Sequence, residues 1–170
     1  MIMKTIQGRP KLRISPSPTD VAVELVAAAG LAFLLITSVN YWQHLPAKIP
    51  MHFNGSGAVD QWGPKTGLWV MPVIGVVSYL ALTIIGWFPW TFNYPVRITA
   101  ENAERQYRIG VAITRWLKME ILWILAYVNW QTIQIAMGRT HKLSAAFMPV
   151  TLAVITGTII VLIVQAYRGR

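Results

Sequence analysis

The stretch PTDVAVELVAAAGLAFLLITSVNYW, residues 18–42, decides the fold class. It is long enough to cross a bilayer as a helix, and its only charges, Asp20 and Glu24, lie near its start. Ser17 precedes Pro18 as an N-cap, and Asp20 suits the positive end of the helix dipole. The basic segment before it resembles the start of a signal peptide. The apolar run exceeds a typical signal core and ends without a convincing cleavage site, so we predict a retained membrane helix.

The rest of the chain repeats this pattern. Three further apolar runs cover about residues 68–90, 116–137 and 145–167. Of the 170 residues, 55% are hydrophobic and 12% charged, with a mean hydropathy of +0.48, too apolar for a soluble domain of this size. We therefore predict an all-α membrane protein: one integral membrane domain over residues 1–170, with four transmembrane helices in a bundle within the lipid bilayer.

The connector 91–115 differs from the spans in its polarity. Thr99 can cap a helix whose first turn holds Glu101 and Glu104. A continuous helix from there to Gly138 would be roughly 55 to 60 Å long, nearly twice the hydrocarbon thickness. We expect residues 100–115 to form a cytoplasmic or interfacial amphipathic helix before the third span, with a bend at Gly110.

The distribution of positive charge predicts the orientation. Eleven Lys and Arg residues fall in the N-terminal segment, the connector before the third span and the C-terminus, against four in the other two connectors. Positive charge favours the cytoplasmic side, so both termini are predicted to be cytoplasmic. Because the basic residues flank the spans and form no separate domain, the net charge of +9 indicates topology and not nucleic-acid binding.

The outer connector, residues 43–67, has the sequence QHLPAKIPMHFNGSGAVDQWGPKTG. It is too long for a simple turn and too poor in charge for a disordered linker. Asn54-Gly55 favours a tight turn between two short extended segments. We predict an ordered loop of 25 residues, a small hairpin or Ω-loop that caps the bundle outside the cell.

This loop also carries a family resemblance. Its Leu45-Pro46, Ile49-Pro50, His52-Phe53-Asn54, Gly57, Asp60, Trp62-Gly63 and Lys65 resemble the pattern of the domain of unknown function 1648 family. The members are small membrane proteins of bacteria and archaea, so the resemblance implies a bacterial or archaeal inner membrane. The same domain opens the longer SdpI-type immunity proteins. For SdpI-type proteins the resemblance implies protection against a secreted toxin and signalling to a cytoplasmic repressor.

The outer loop supplies the candidate binding residues His52, Phe53, Asn54, Asp60 and Trp62. His44, His52 and Asp60 are weak candidates for metal ligands, because no HExxH or paired-His motif accompanies them. Turn and cross-loop hydrogen bonds are the favoured roles of Asn54, Asp60 and His52. We expect no cofactor, since the chain lacks a GxSxG motif, a P-loop and paired histidines within the spans.

Two intramembrane acids, Glu24 and Glu120, are candidates for a proton or cation site. Both lie near the cytoplasmic interface, so the favoured interpretation is an ion pair with Arg13, Arg115 or Lys118, or a side chain that extends to water at the interface. Trp116, Trp123 and Trp130 recur at every seventh position, which favours helix packing over a lipid, quinone or peptide site. Asn129, Gln131 and Gln134 are expected to form interhelical hydrogen bonds.

These observations favour a non-enzymatic membrane protein whose outer loop recognises a partner. That partner is a neighbouring membrane subunit or an extracellular peptide such as a toxin, as in an immunity-like role. The alternative is a small oligomeric transporter or channel that uses Glu24, Glu120 or the polar face of the third span. A membrane enzyme with a metal in the outer loop is the least favoured.

Overall fold

The computed structural model describes residues 5–6 and 9–168 of the chain. Within them lie four α-helices, α1 Pro18–Tyr41, α2 Val70–Ile85, α3 Ala103–Ala136 and α4 Phe147–Arg168. Two antiparallel hairpins accompany them, β1 Thr5–Ile6 with β2 Arg9–Pro10 and β3 Lys48–Phe53 with β4 Val59–Pro64. Lys4 and Arg170, which contribute to the charge asymmetry, lie outside the described residues.

Helix α1 begins where the sequence predicts. The Ser17 hydroxyl accepts from the Asp20 amide, and the Asp20 carboxylate accepts from the Ser17 amide, which makes a complete capping box. At its other end α1 continues into a 3-10 turn, Trp42–His44. Helix α2 follows the 3-10 segment Lys65–Trp69 and ends at Ile85, earlier than the expected residue 90.

The amphipathic segment and the third apolar run form one continuous helix, α3. Asn102, and not Thr99, occupies the N-cap position. The helix passes through Gly110, where a Cβ would lie 2.8 Å from the Tyr94 hydroxyl oxygen. Gly110 therefore lets the connector between α2 and α3 pack tightly on the helix. Burial raises the pKa of Tyr94, whose hydroxyl donates to the Pro89 carbonyl.

Helix α3 lies at the centre of the bundle. It runs parallel to α1, because Lys118 meets Glu24 near one end and Asn129 meets Ser38 further along. Helices α2 and α4 run antiparallel to α3. On α2, the later residue Thr83 contacts Lys118, whereas the earlier residue Gly75 lies near Leu122. On α4, Thr158 contacts Glu120, and the later residue Ala166 contacts Gln106.

In the described part of the chain, three helical stretches are long and apolar enough to cross a membrane, Pro18–His44, Lys65–Ile85 and Phe147–Arg168. Helix α3 is not among them, although many of its residues are buried against the other helices. Large apolar side chains such as Val73 and Val77 of α2 and Leu152 and Ile160 of α4 face outward. An apolar exterior of this kind is compatible with a membrane protein.

The outer connector folds as the predicted hairpin, β3–β4. Its turn runs from Asn54 to Gly57, and Gly57 has φ +80°, a left-handed conformation suited to glycine. The Leu143 amide donates to the Gly57 carbonyl at 2.8 Å, so the connector between α3 and α4 pairs with the hairpin. Ile49 packs with Leu45, Leu68 and Ile133 and anchors the hairpin on α3.

Candidate functional site: an apolar cavity beneath the outer hairpin

A cavity of about 300 Å³ opens beneath the hairpin; we call it the outer cavity. Strand β3 forms one side of it, and the beginnings of α2 and α4, the C-terminal part of α3 and the connector at Leu143 form the rest. Among the described residues that line it, none is an Asp, Glu, Lys or Arg. Its surface is mostly apolar and is formed largely by Ile49, Met51, Phe53, Leu68, Met71, Val128, Phe147 and Met148.

Three of the predicted binding residues line the outer cavity: His52, Phe53 and Asn54. Phe53 is half-buried at the end of β3. The Asn54 side-chain oxygen accepts from the amides of Ser56 and Ala58, at 3.0 and 3.1 Å, so it shapes the turn. Of these three, Phe53 therefore offers the largest apolar contact surface to a ligand.

The other two predicted residues lie on β4, away from the cavity wall. Asp60 Oδ1 is 2.6 Å from His52 Nδ1, an exposed pair across the hairpin. Trp62, 52% exposed, is opposite Pro50 in the strand register. The hairpin thus has two candidate contact areas, the cavity mouth at Phe53 and the outer face at Trp62.

The weak metal candidates do not converge. His44 lies at the end of α1, where its Nδ1 is 3.2 Å from the Asn40 carbonyl oxygen. His52 and Asp60 contact each other, as the sequence predicts for a cross-loop hydrogen bond. Within residues 5–6 and 9–168, no group of three His, Asp or Glu side chains is placed to hold a metal ion.

Sequence reasoning missed two contributors to the cavity wall. Met51 covers the backbone of Gly63 and Gly67, where an added Cβ would lie 2.6 and 2.5 Å from its side chain. Asn129 was expected only to bridge helices, and its amide does donate to Ser38 Oγ at 3.0 Å. A polar residue within an apolar span could have marked Asn129 as a candidate site residue. Its position under the hairpin depends on tertiary packing and is not visible in the sequence.

At the opposite end of the bundle, Glu24 forms a buried ion pair with Lys118. Lys118 Nζ lies 2.7 Å from both Glu24 carboxylate oxygens and 2.8 Å from Thr83 Oγ1. It also sits 4.6 Å from the centre of the Tyr79 ring. The predicted ion pairing of Glu24 is confirmed, and a neighbouring pair joins Arg115 to Asp20 at 2.8 Å.

Glu120 behaves differently, and the expected ion pair with Arg13, Arg115 or Lys118 is wrong for it. Two positions beyond Lys118, it faces the other side of α3, where the Thr158 hydroxyl of α4 donates to its Oε1. Its Oε2 is buried without a hydrogen-bond partner among the described residues.

Two tryptophans of the stripe on α3, Trp123 and Trp130, pack against α1. The Phe33 ring lies 6.2 Å from Trp123 and 5.8 Å from Trp130. Trp123 also donates its indole N–H to the Val26 carbonyl at 3.0 Å. A Cβ on Gly30 would lie 3.1 Å from Trp123, so this glycine permits the close approach of the helices.

Comparison with known proteins agrees with the pattern in the outer loop. Residues 29–76 match the family described as Domain of unknown function (DUF1648). The match covers the outer half of α1, the hairpin and the first turns of α2. It confirms the resemblance inferred from the loop residues, and the matched residues include the whole β3–β4 hairpin.

One similar protein comes from Archaeoglobus fulgidus and is described as an uncharacterized protein. It is 25% identical over 122 residues, which cover 65% of this chain and 67% of the relative. No solved structure matches the chain. The comparisons therefore support the domain and give it no molecular function.

Proposed function

We propose that the chain is a four-pass inner-membrane protein whose outer hairpin recognises a partner without catalysing a reaction. The partner is an extracytoplasmic peptide, as in an immunity-like role, or a neighbouring membrane subunit. The observation that carries the proposal is the outer cavity, an uncharged apolar recess held open by an ordered hairpin at the predicted outer surface.

Four passes are supported by the course of α3. Helix α3 lies beside α1 over most of its length, from the Asp20–Arg115 pair to the contact of Tyr41 with Trp130. A helix packed along a membrane-spanning helix must itself be at the depth of the bilayer. Its charged residues in that region are Arg115, Lys118 and Glu120, and each of them has a partner on another helix.

The orientation is supported by the N-terminal segment. Arg9 donates to the Phe92 carbonyl at 2.7 Å, and the Tyr107 hydroxyl donates to the Pro10 carbonyl at 3.1 Å. The N-terminal segment therefore packs beside the basic connector before α3, at the end of the bundle opposite the hairpin. This is the end that the positive-inside rule assigns to the cytoplasm.

Transport through Glu24 and Glu120 has less support. Both carboxylate oxygens of Glu24 contact Lys118, which is 2% exposed, so this acid is not free to exchange a cation. Glu120 lies between α3 and α4, and it does not line the recess that contains Glu24. The two acids therefore do not form a shared path.

Site-specific photo-crosslinking tests the recognition proposal. A benzophenone amino acid is placed at Phe53, at Trp62 and, as a control that faces lipid, at Val73, and native membranes are irradiated. We expect a discrete adduct from Phe53 or Trp62 and none from Val73. The adduct from the probe at Phe53 should then be lost in the Trp62→Ala protein, and the adduct from the probe at Trp62 should be lost in the Phe53→Ala protein, with normal insertion in both. The same adducts at all three sites, or none at the hairpin, would refute recognition by the outer loop.

A further inference from the structure

A recess at the end of the bundle opposite the hairpin is lined by two arginines; we call it the arginine recess. Its volume is about 340 Å³, and it lies between the N-terminal segment, the end of α2 and α3. Arg13 and Arg115 line it together with Trp87, Phe88 and Trp90. Among the described residues that line it there is no Asp or Glu, so two positive charges share one recess without an acid in its wall.

The two arginines keep hydrogen-bond donors free for a ligand. Arg115 pairs through Nη1 with Asp20 Oδ1 at 2.8 Å, which uses only part of its five N–H donors. Arg13 is exposed and has no hydrogen bond or ion pair with any described residue. By contrast, Arg9 of the same segment donates to the Phe92 carbonyl at 2.7 Å. Arg9 therefore anchors the segment, whereas Arg13 brings an uncompensated charge to the recess.

Exposed aromatic side chains border the arginine recess. Trp87 is 62% and Phe88 43% exposed, and both directly follow Lys65–Ile85, which is long and apolar enough to cross a membrane. Tryptophan at the end of a span lies at the level of the lipid headgroups. Lys11 Nζ lies 6.0 Å from the centre of the Trp90 ring and adds a further cation beside the recess. Positive charge and exposed apolar surface therefore meet at headgroup depth.

This combination favours a lipid over a soluble anion. Guanidinium groups bind phosphate oxygens well, and a phospholipid places its phosphate at the depth of Arg13 and Arg115. A soluble phosphate gains nothing from the exposed rings of Trp87 and Phe88, whereas the chains of a lipid cover them. A zwitterionic headgroup carries its own cation, so the uncompensated charge of Arg13 favours an anionic lipid.

We infer that the arginine recess binds the headgroup of one anionic phospholipid, with its phosphate on Arg13 and Arg115 and the upper part of its chains against Trp87 and Phe88. The lipid belongs to the leaflet at this end, the cytoplasmic one in the proposed orientation. The site is separate from the outer hairpin and requires only that α2 spans the bilayer. A lipid bound there also links the N-terminal segment to α2 and α3, since all three line the recess.

Native mass spectrometry of the delipidated full-length protein tests this site. Dioleoyl phosphatidylglycerol, which is anionic, and dioleoyl phosphatidylcholine, which is zwitterionic, have the same chains and are titrated separately to obtain a Kd for each. Wild-type protein should prefer phosphatidylglycerol, and Arg13→Gln should reduce that preference about fivefold. Arg105→Gln is the matched control, because Arg105 is also exposed and on the basic side but does not line the recess. It should leave the preference nearly unchanged.

Three results would overturn the assignment of this site. An equal loss of preference in Arg13→Gln and Arg105→Gln would mean a diffuse attraction of the basic surface. Equal affinity of the wild-type protein for the two lipids, or no binding, would mean that the recess does not select an anionic lipid. Displacement of phosphatidylglycerol by an excess of dimethyl phosphate would mean a site for soluble phosphates. The crosslinks from Phe53 and Trp62 test recognition by the hairpin independently of all three.

Discussion

Replacement of Lys118 by methionine should destabilise the bundle strongly. Lys118 is 2% exposed, and its ammonium group contacts both oxygens of Glu24 and the hydroxyl of Thr83. Methionine fills a similar volume, so the main loss is that Glu24 keeps its charge without a partner. Loss of one member of a buried pair costs about 3–5 kcal/mol. The Glu24 side chain is 33% exposed, and we therefore expect a loss of about 3 kcal/mol, the lower end of that range.

The measurement is reversible unfolding in mixed micelles with increasing sodium dodecyl sulfate, followed by far-ultraviolet circular dichroism. The double variant Glu24→Gln with Lys118→Met removes both charges and should recover at least about 1 kcal/mol of the loss, because no unpaired charge remains. Glu104→Gln breaks the exposed pair with Arg108 and should cost less than about 1 kcal/mol. The reasoning would be refuted if Lys118→Met lost no more unfolding free energy than Glu104→Gln. It would also be refuted if the double variant were no more stable than Lys118→Met alone.

Two further outcomes are expected. Reporters fused to the two termini should both report the cytoplasm if α3 crosses the membrane, and reporters on opposite sides would instead mean three passes. Gly57→Ala should destabilise the hairpin by about 1–3 kcal/mol, because Gly57 has φ +80° and an added Cβ would lie 2.6 Å from the Leu143 carbonyl oxygen. Gly55→Ala, where a Cβ meets nothing within 4 Å, is the matched control, and equal protease susceptibility of the two variants would contradict this explanation.

Local sequence signals predicted where a helix begins or a hairpin turns, because the backbone at such a point requires a particular type of side chain. Ser17, Pro18 and Asp20 fix the start of α1 because together they satisfy and orient the free amides of the first turn. Asn54-Gly55 predicted the turn of the outer hairpin, and the Asn54 side-chain oxygen does shape it, although the left-handed glycine is Gly57. These signals act over a few residues and are visible without tertiary structure.

Signals that depend on packing were less informative. Gly110 was expected to bend α3, and its contact with Tyr94 was not foreseen, because a missing side chain permits either role. Glu120 was expected to pair with a basic residue, but the rotation of α3 directs it to Thr158. The outer cavity was not predicted, since Met51, Asn129 and Phe147 lie far apart in the sequence and meet only through the helix arrangement.

The low hydropathy of α3 has a structural explanation that links the two ends of the molecule. Lys118 and Asn129 are eleven residues apart, so they differ by only about 20° around the helix and face the same side. Both meet α1, at Glu24 and at Ser38, and are thereby shielded from lipid. A helix surrounded by three apolar helices can carry polar groups that a peripheral helix cannot. The Glu24–Lys118 pair fixes the position of α3 along α1, and so also fixes the depth of Asn129 beneath the hairpin. Loss of Lys118 should therefore weaken binding at the outer cavity as well as stability, although Lys118 does not line that cavity.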